Sequence, residues 1–210
     1  QINNLASKLS AGLEQLKLTA SPSQQQQLLN YLSLLAKWNQ AYNLTAITQP
    51  EEMLVKHLLD SLAVVPFIKE DELLDVGSGA GLPGIPLAIL LPDLQVTSLD
   101  SNGKKTRFQF QAKTELGLTN FNVQQARVEQ TPLNLASKQL ISRAFASLTN
   151  FVELTANLAA PQAKWLAMKG TYPQEEIAAL PQGFKCLASH PLTVPFLNEQ
   201  RHLLILGTED

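Results

Sequence analysis

LLDVGSGAGLPGIPLAILL, residues Leu73 to Leu91, decides the fold. The apolar run Leu73, Leu74, Val76 reads as a buried strand ending in a loop that carries Gly77, Gly79, Gly81 and Gly84. Ile85 to Leu91 then reads as a helix with Pro86 in its first turn, where a missing N–H and a fixed φ cost nothing. Strand, glycine loop and helix in that order bring bare backbone close to a ligand at the mouth of a parallel sheet. Next comes LQVTSLD, a second strand ending in Asp100. An acid about twenty residues beyond such a loop can accept both hydroxyls of a ribose. The stretch therefore predicts a nucleoside-cofactor site rather than a purely structural glycine turn.

Gly79-x-Gly81-x-x-Gly84 matches the dinucleotide fingerprint, but that pattern alone is weak. Asp75 closes the strand just before the glycines, where a pyrophosphate would meet a like charge. Asp75-x-Gly77-x-Gly79-x-Gly81 is the arrangement of S-adenosylmethionine methyltransferases. That cofactor has no phosphate, and its ammonium group is favoured by a nearby acid. S-adenosylmethionine is preferred over NAD on these grounds.

The chain has 210 residues, 45% of them hydrophobic, enough for one α/β domain with an accessory segment. No run of about eighteen apolar residues occurs, so no membrane span is expected. The start, QINNLASKLSAGLEQL, lacks the basic and apolar regions of a secretory signal. One cysteine, Cys186, offers neither a disulfide nor a metal cluster, so no metal is expected. A cytoplasmic monomer is the expectation. A net charge of −2 requires any RNA-binding face to be local rather than global.

Ile2 to Leu18 reads as an amphipathic helix, and Ser21-Pro22 restarts a second that runs to about Trp38. Gln24 to Gln27 reads as an exposed helix turn. Pro50-Glu-Glu opens a third helix, which carries Lys56, His57 and Asp60. Residues 1–65 thus form an N-terminal helical region, packed as a single unit with a core over 66–210. The core alternates strand and helix. A helix over Lys104 to Leu116 stops at Gly117, and a strand covers Asn120 to Gln125. After a break at Thr131-Pro132 come a strand near Leu140, a helix capped by Ser147 and a strand over Ala163 to Met168. Phe184 to Ser189 and His202 to Leu206 pair as a terminal hairpin. The fold class is α/β, a Rossmann-like methyltransferase sheet of seven mostly parallel strands with the last antiparallel.

Several strings coincide with one family. Trp38-Asn-x-x-Tyr42-Asn43-Leu44-Thr45, His57-x-x-Asp60-Ser61, the loop from Gly77 to Pro86, Ile141-Ser-Arg-Ala-Phe145, Lys169-Gly170 and Arg201-His202 together resemble the RsmG family. Its members, the bacterial ribosomal RNA small-subunit methyltransferases G, are also called glucose-inhibited division protein B. The resemblance spans nearly the whole chain; Ser101-Asn-Gly-Lys104 is its least familiar part. It implies methyl transfer from S-adenosylmethionine to N7 of one guanine in small-subunit (16S) ribosomal RNA, as free RNA or in the 30S subunit, leaving S-adenosylhomocysteine. Carried over by position, cofactor contacts fall on Gly77, Leu82, Val128, Glu129 and Arg143. Asp100 would then hold the ribose, Gly79 and Gly81 complete the loop, and Asp75 stands near the methionine amino group.

Guanine N7 has an in-plane lone pair and no proton, so alignment replaces general-base catalysis. The lack of a Ser/His/Asp or Cys/His constellation agrees with that. Ile141 to Phe145 stands where exocyclic-amine methyltransferases carry Asn/Asp-Pro-Pro-aromatic, and Cys186 lies too far along to be a pyrimidine nucleophile. Arg143, Lys169, Asn43, His57 and Asp60 are candidates for substrate positioning. Asn43 could equally organise a turn, and His57 with Asp60 a local ion pair. Lys104, Lys105, Arg107, Phe145 and Arg201 are candidate RNA contacts, set against a solvated helix face or core packing. Trp38 and Trp165 read as core. Three rivals stand beside this reading: a small-molecule methyltransferase of the same fold, a non-catalytic cofactor-sensing RNA-binding module, and an NAD-linked oxidoreductase.

Overall fold

The computed structural model describes residues 2–130 and 135–209, so the break expected at Thr131-Pro132 lies outside the described residues. Helix α1 (Ile2–Gln15) is followed by α2 (Pro22–Tyr42). Ser21 caps α2 reciprocally with Gln24, and Asn43 closes it in the left-handed conformation at φ 50°. The helix passes the expected end at Trp38 because Asn39 turns inward. Its side chain accepts from the Thr45 N–H at 2.8 Å and donates to the Ile47 carbonyl, holding the next loop.

The glutamine run is not a free surface. Gln24 donates to the carbonyls of Ile89 and Leu90, and Gln27 to that of Leu116. Both reach carbonyls at the C-terminal ends of core helices that lack intrahelical partners. The third helix starts at Pro50 as α3 (Pro50–Met53), widens into a π-helical run (Leu54–Leu59) and finishes as α4 (Asp60–Leu62). Such widened turns are rare and cluster at functional sites. This one carries Lys56 and His57.

The core then runs β1 (Glu72–Val76), α5 (Gly84–Leu90), β2 (Gln95–Asp100), α6 (Gly103–Leu116), β3 (Phe121–Gln125), β4 (Ser137–Ser142), α7 (Leu148–Thr155), β5 (Ala159–Lys169), α8 (Gln174–Ala178), β6 (Phe184–Leu192) and β7 (Arg201–Thr208). Asn102 caps α6 and Ser147 caps α7, while Gly117 ends α6 at φ 64°. The sheet order is β3-β2-β1-β4-β5-β7-β6, with β7 antiparallel to both of its neighbours. After β3 the chain crosses to the far side of β1, so the switch point lies between β1 and β4. Ligands of open α/β sheets bind outside the strand ends at such a point.

Successive strand residues face opposite layers. Leu73, Ile141 and Leu203 pack under α1, α2, α5 and α6, whereas Leu74, Leu140 and Leu204 pack with Phe151 and Val152 of α7. The first layer joins Leu9, Leu13, Leu28 and Leu35 of the N-terminal helices to Ile85, Leu87 and Phe108 of the core. Each fully buried leucine contributes about 2 kcal/mol, which fixes α2 against the glycine loop. Trp38 packs edge-on to Phe108, and Trp165 donates to Thr155 from a buried position.

Candidate functional site

The loop after β1 is shaped by glycine. Gly77 sits at φ 68°, and a Cβ there would lie 2.7 Å from that of Ala144. Gly79 and Gly81 are also left-handed, at φ 59° and 94°. Several of the loop's polar groups are engaged from behind. The N–H groups of Gly77 and Ser78 donate to the Leu99 carbonyl. Gln109 of α6, fully buried, donates to the Gly79 carbonyl at 2.6 Å and to the Ser78 hydroxyl at 2.9 Å, and it accepts from Ser98. Ser78 and Ser98 bond to each other. Tyr31 of α2 donates its hydroxyl to the Ala80 carbonyl at 2.8 Å, and burial holds its phenol far above the usual range. These braces escaped the sequence reading. Gln109 alone left a sign, as a polar residue on the stripe shared by Thr106 and Ala112.

Two carboxylates frame the loop. Asp75 is fully buried, and its Oδ2 accepts from the Gly84 N–H at 2.8 Å, at the start of α5. Oδ1 has no hydrogen-bond partner, and burial raises the carboxyl pKa well above its ordinary value. Asp100 accepts from the Gly79 N–H through Oδ2 and from the Asn102 N–H through Oδ1, both at 2.8 Å. Each Asp100 oxygen keeps a lone pair, and the carboxylate borders a cavity of about 400 Å³. Gly77, Leu99, Val128, Glu129, Ala144 and Phe145 also line that cavity. Phe145 is stacked on Phe151 with ring centroids 5.2 Å apart, so its ring forms cavity wall and core at once.

A second compartment adjoins the first through Gly77 and Ala144. It is lined by Leu82, Thr45, His57, Lys105 and Arg143. A third, reached past His57 and Arg143, is lined by Lys56, Asp60, Lys169, Gly170, Arg201 and His202 among others. Three adjoining compartments therefore lead from the nucleoside end to a strongly polar end, with Gly77 and Ala144 shared by the first two and His57 and Arg143 by the last two.

At the polar end, His57 and Asp60 do not pair with each other. The His57 ring nitrogen Nε2 meets the Thr45 hydroxyl at 2.9 Å, and burial lowers the His57 pKa to about 4. Asp60 stands 3.6 Å from an Arg143 nitrogen and 3.4 Å from Arg201 Nε. Burial raises its pKa and the two guanidinium groups oppose that rise. Arg143 also donates to the Lys56 carbonyl, so β4 and the π-helical run are tied together. Lys169 is committed to Glu176 at 2.9 Å and to the Phe145 carbonyl. Asn43 and Lys105 share a separate recess with Thr45 and Pro50. Lys104 and Arg107 are exposed on α6. Cys186 is half-buried in β6, opposite Leu206 and so toward the end of β7 away from Arg201 and His202.

The donor set suits S-adenosylmethionine and not a dinucleotide. The first compartment offers a carboxylate with free lone pairs and apolar walls for a nucleoside, and a Cβ-free approach at Gly77. A pyrophosphate would meet the Asp100 carboxylate at the cavity wall, with Asp75 buried nearby against the start of α5, whereas a sulfonium and an ammonium group gain from negative charge. No group of three or more His, Cys, Asp or Glu that could hold a metal ion occurs among the described residues.

Comparisons with known proteins agree. A putative O-methyltransferase from Klebsiella pneumoniae superposes with a TM-score of 0.59 at 11% identity, covering 96% of this chain and 97% of that one. A SAM-dependent methyltransferase from Aquifex aeolicus does so with a TM-score of 0.55 at 18% identity, covering 77% and 94%. These likenesses show the fold: a Rossmann-like methyltransferase sheet. Proteins named ribosomal RNA small subunit methyltransferase G from Pseudomonas syringae pv. syringae (strain B728a) and Pseudomonas fluorescens (strain Pf0-1) are 53% and 54% identical over 201 residues. Those matches cover 96% of this chain and 94% of each relative. The model of the GidB family, rRNA small subunit methyltransferase G, matches residues 24–204. With relatives more than half identical along nearly its whole length, the chain belongs to the GidB family of rRNA small subunit methyltransferase G proteins.

Proposed function

We propose that this protein methylates N7 of a guanine in small-subunit ribosomal RNA. Family membership makes it an S-adenosylmethionine-dependent rRNA methyltransferase; the target atom and the residue roles are the further step. The observation that carries the reading is the run of adjoining compartments from the Asp100 cavity to the polar end around Asp60, with His57 and Arg143 shared by the last two.

Gly77, Gly79, Gly81 and Leu82 form the loop under the cofactor, Asp100 takes the ribose hydroxyls, and Val128 and Glu129 flank the adenine. Asp75 supplies negative charge toward the methionine ammonium, and Arg143 lies beside the methionine end. S-adenosylmethionine bound there supplies an electrophilic methyl group on a sulfonium.

The remaining task is alignment, because guanine N7 has a lone pair and no proton to lose. His57 is neutral at physiological pH, so it adds no cation beside the positive charge that develops on the methylated guanine. Arg143, Lys169, Asn43 and Asp60 position the base around it. Lys104, Lys105 and Arg107 draw in RNA phosphates, Arg201, paired with Asp60 and Glu199, contacts the RNA at the polar compartment, and Phe145 presents an aromatic edge. No helix among the described residues is long and apolar enough to cross a membrane, and the reading has the protein acting as a cytoplasmic monomer.

Mapping 7-methylguanosine in ribosomal RNA from cells with and without the protein tests the proposal. One modified guanine should disappear with the protein and return when purified protein and cofactor are added to subunits or naked RNA. An unchanged map overturns the N7 assignment.

A further inference from the structure

We infer that Asp60 is the residue that reads the target base as guanine, its carboxylate accepting from the N1–H and the 2-amino group. This rests on the reading above, that a guanine enters the cleft. The compartment around Asp60 is not a bare cationic pocket. Lys56 lies 3.2 Å from Glu52 and 3.5 Å from Glu199, Arg201 lies 3.1 Å from Glu199, and Lys169 lies 2.9 Å from Glu176. Each cation already faces an acid, so a phosphate would have to displace those carboxylates. Walls of alternating sign instead suit a neutral, polar, planar group that both donates and accepts.

Asp60 is 7% exposed, yet its carboxylate lines the compartment. Arg143 stands 3.6 Å from one of its oxygens and Arg201 3.4 Å from the other, and a carboxylate oxygen with one such partner can accept a second hydrogen bond. Guanine offers two adjacent donors to such a carboxylate, whereas adenine offers an acceptor at N1 that a carboxylate repels. With the N1 edge on Asp60, O6 turns to Arg143 at the junction of compartments, and N7 follows toward the glycine loop. The order of residues along the cleft, Asp60, Arg143, then Gly77, matches the order of atoms around the purine.

Subunits rebuilt with inosine at the mapped target position test this, because inosine lacks only the 2-amino group. The unaltered protein should lose about ten- to a hundredfold in kcat/KM on inosine, the effect of one hydrogen bond to a charged acceptor. In Asp60→Asn the two substrates should be used within about twofold of each other, since coupled partners lose their discrimination together. A merely structural Asp60 would lower both rates and keep their ratio. Equal use of inosine and guanosine by the unaltered protein overturns the inference, and that comparison requires no variant. Titrating protein loaded with S-adenosylhomocysteine with guanosine, inosine and adenosine monophosphates reads the pocket without methyl transfer. A preference for guanosine supports the inference even if no guanine is methylated, which would overturn only the proposed function; no preference overturns the inference itself.

Discussion

Tyr31 donates its hydroxyl to the carbonyl of Ala80 at 2.8 Å, so the N-terminal helical region holds the glycine loop directly. Both partners are buried. Removing the hydroxyl leaves a buried carbonyl without that donor, at a cost of about 1–3 kcal/mol. Tyr31→Phe is expected to lower stability by that amount in urea unfolding. It should also weaken S-adenosylhomocysteine binding by a few-fold, because the loop loses its anchor. Calorimetric titration beside the unfolding curve checks both effects. A variant with wild-type stability and affinity would show the contact to be idle.

Asp100 serves two masters, since its oxygens hold Gly79 and Asn102 while facing the nucleoside cavity. Asp100→Ala frees the loop and removes the ribose acceptor together. Binding of S-adenosylmethionine should weaken about ten- to a hundredfold, as expected for lost hydrogen bonds to a charged group. Affinity within about twofold of wild type would move the ribose elsewhere in the cleft.

Gly77 and Gly117 share a left-handed φ but differ in their surroundings. At Gly117 a Cβ meets nothing within 4 Å, whereas at Gly77 it would strike Ala144. Gly117→Ala should therefore cost about 1 kcal/mol, the conformational penalty alone. Gly77→Ala should cost clearly more and abolish cofactor binding, because Ala144 must move into the cavity it lines. Paired denaturant titrations separate the two. Equal costs would mean that Ala144 yields freely.

The loop, the alternation of strands and helices, and Asp100 at the end of β2 were all legible, because each depends on neighbours a few residues away. The braces were not. Tyr31 and Ala80 meet only once the helices pack on the sheet, and Gln109 reaches Ser78 and Gly79 from a different helix. Helical spacing placed His57 and Asp60 on one face but could not name their partners. Those partners, Thr45 for one and Arg143 with Arg201 for the other, come from separate segments of the chain. The glutamine run misled for the same reason, since its exposure depended on where α5 and α6 end.

Asp75 sets stability against binding. Its carboxyl pKa is raised well above the ordinary value by burial, so its contribution to stability is full below the unfolded pKa and is lost as pH rises through the folded one. Asp75→Asn keeps an oxygen that can accept from the Gly84 N–H and removes the buried charge. The variant should be at least as stable as wild type near neutral pH, by up to a few kcal/mol, and should lose that advantage toward pH 4. Its affinity for S-adenosylmethionine should fall, because the ammonium group loses its counter-charge. Melting curves from pH 4 to 8 with cofactor titrations test both halves. A variant that binds as tightly as wild type would remove Asp75 from the site.

His57 gives the opposite sign of acid dependence. Its pKa falls to about 4 in the fold, chiefly by burial, against about 6.5 when unfolded. The unfolded chain therefore binds the proton first, and the stability that depends on a neutral ring is full above about pH 6.5 and lost as pH falls toward 4. The linkage amounts to at most about 3 kcal/mol. His57→Gln retains a polar group for Thr45 but cannot titrate, so the slope of unfolding free energy against pH between 4 and 6.5 should shrink by one proton relative to wild type. Methyl transfer should keep its plateau above pH 6.5 in the wild type, because a ring that is already neutral has no proton to exchange there. An activity profile that falls through a pKa near 7 and disappears in His57→Gln would instead make the ring a working acid or base.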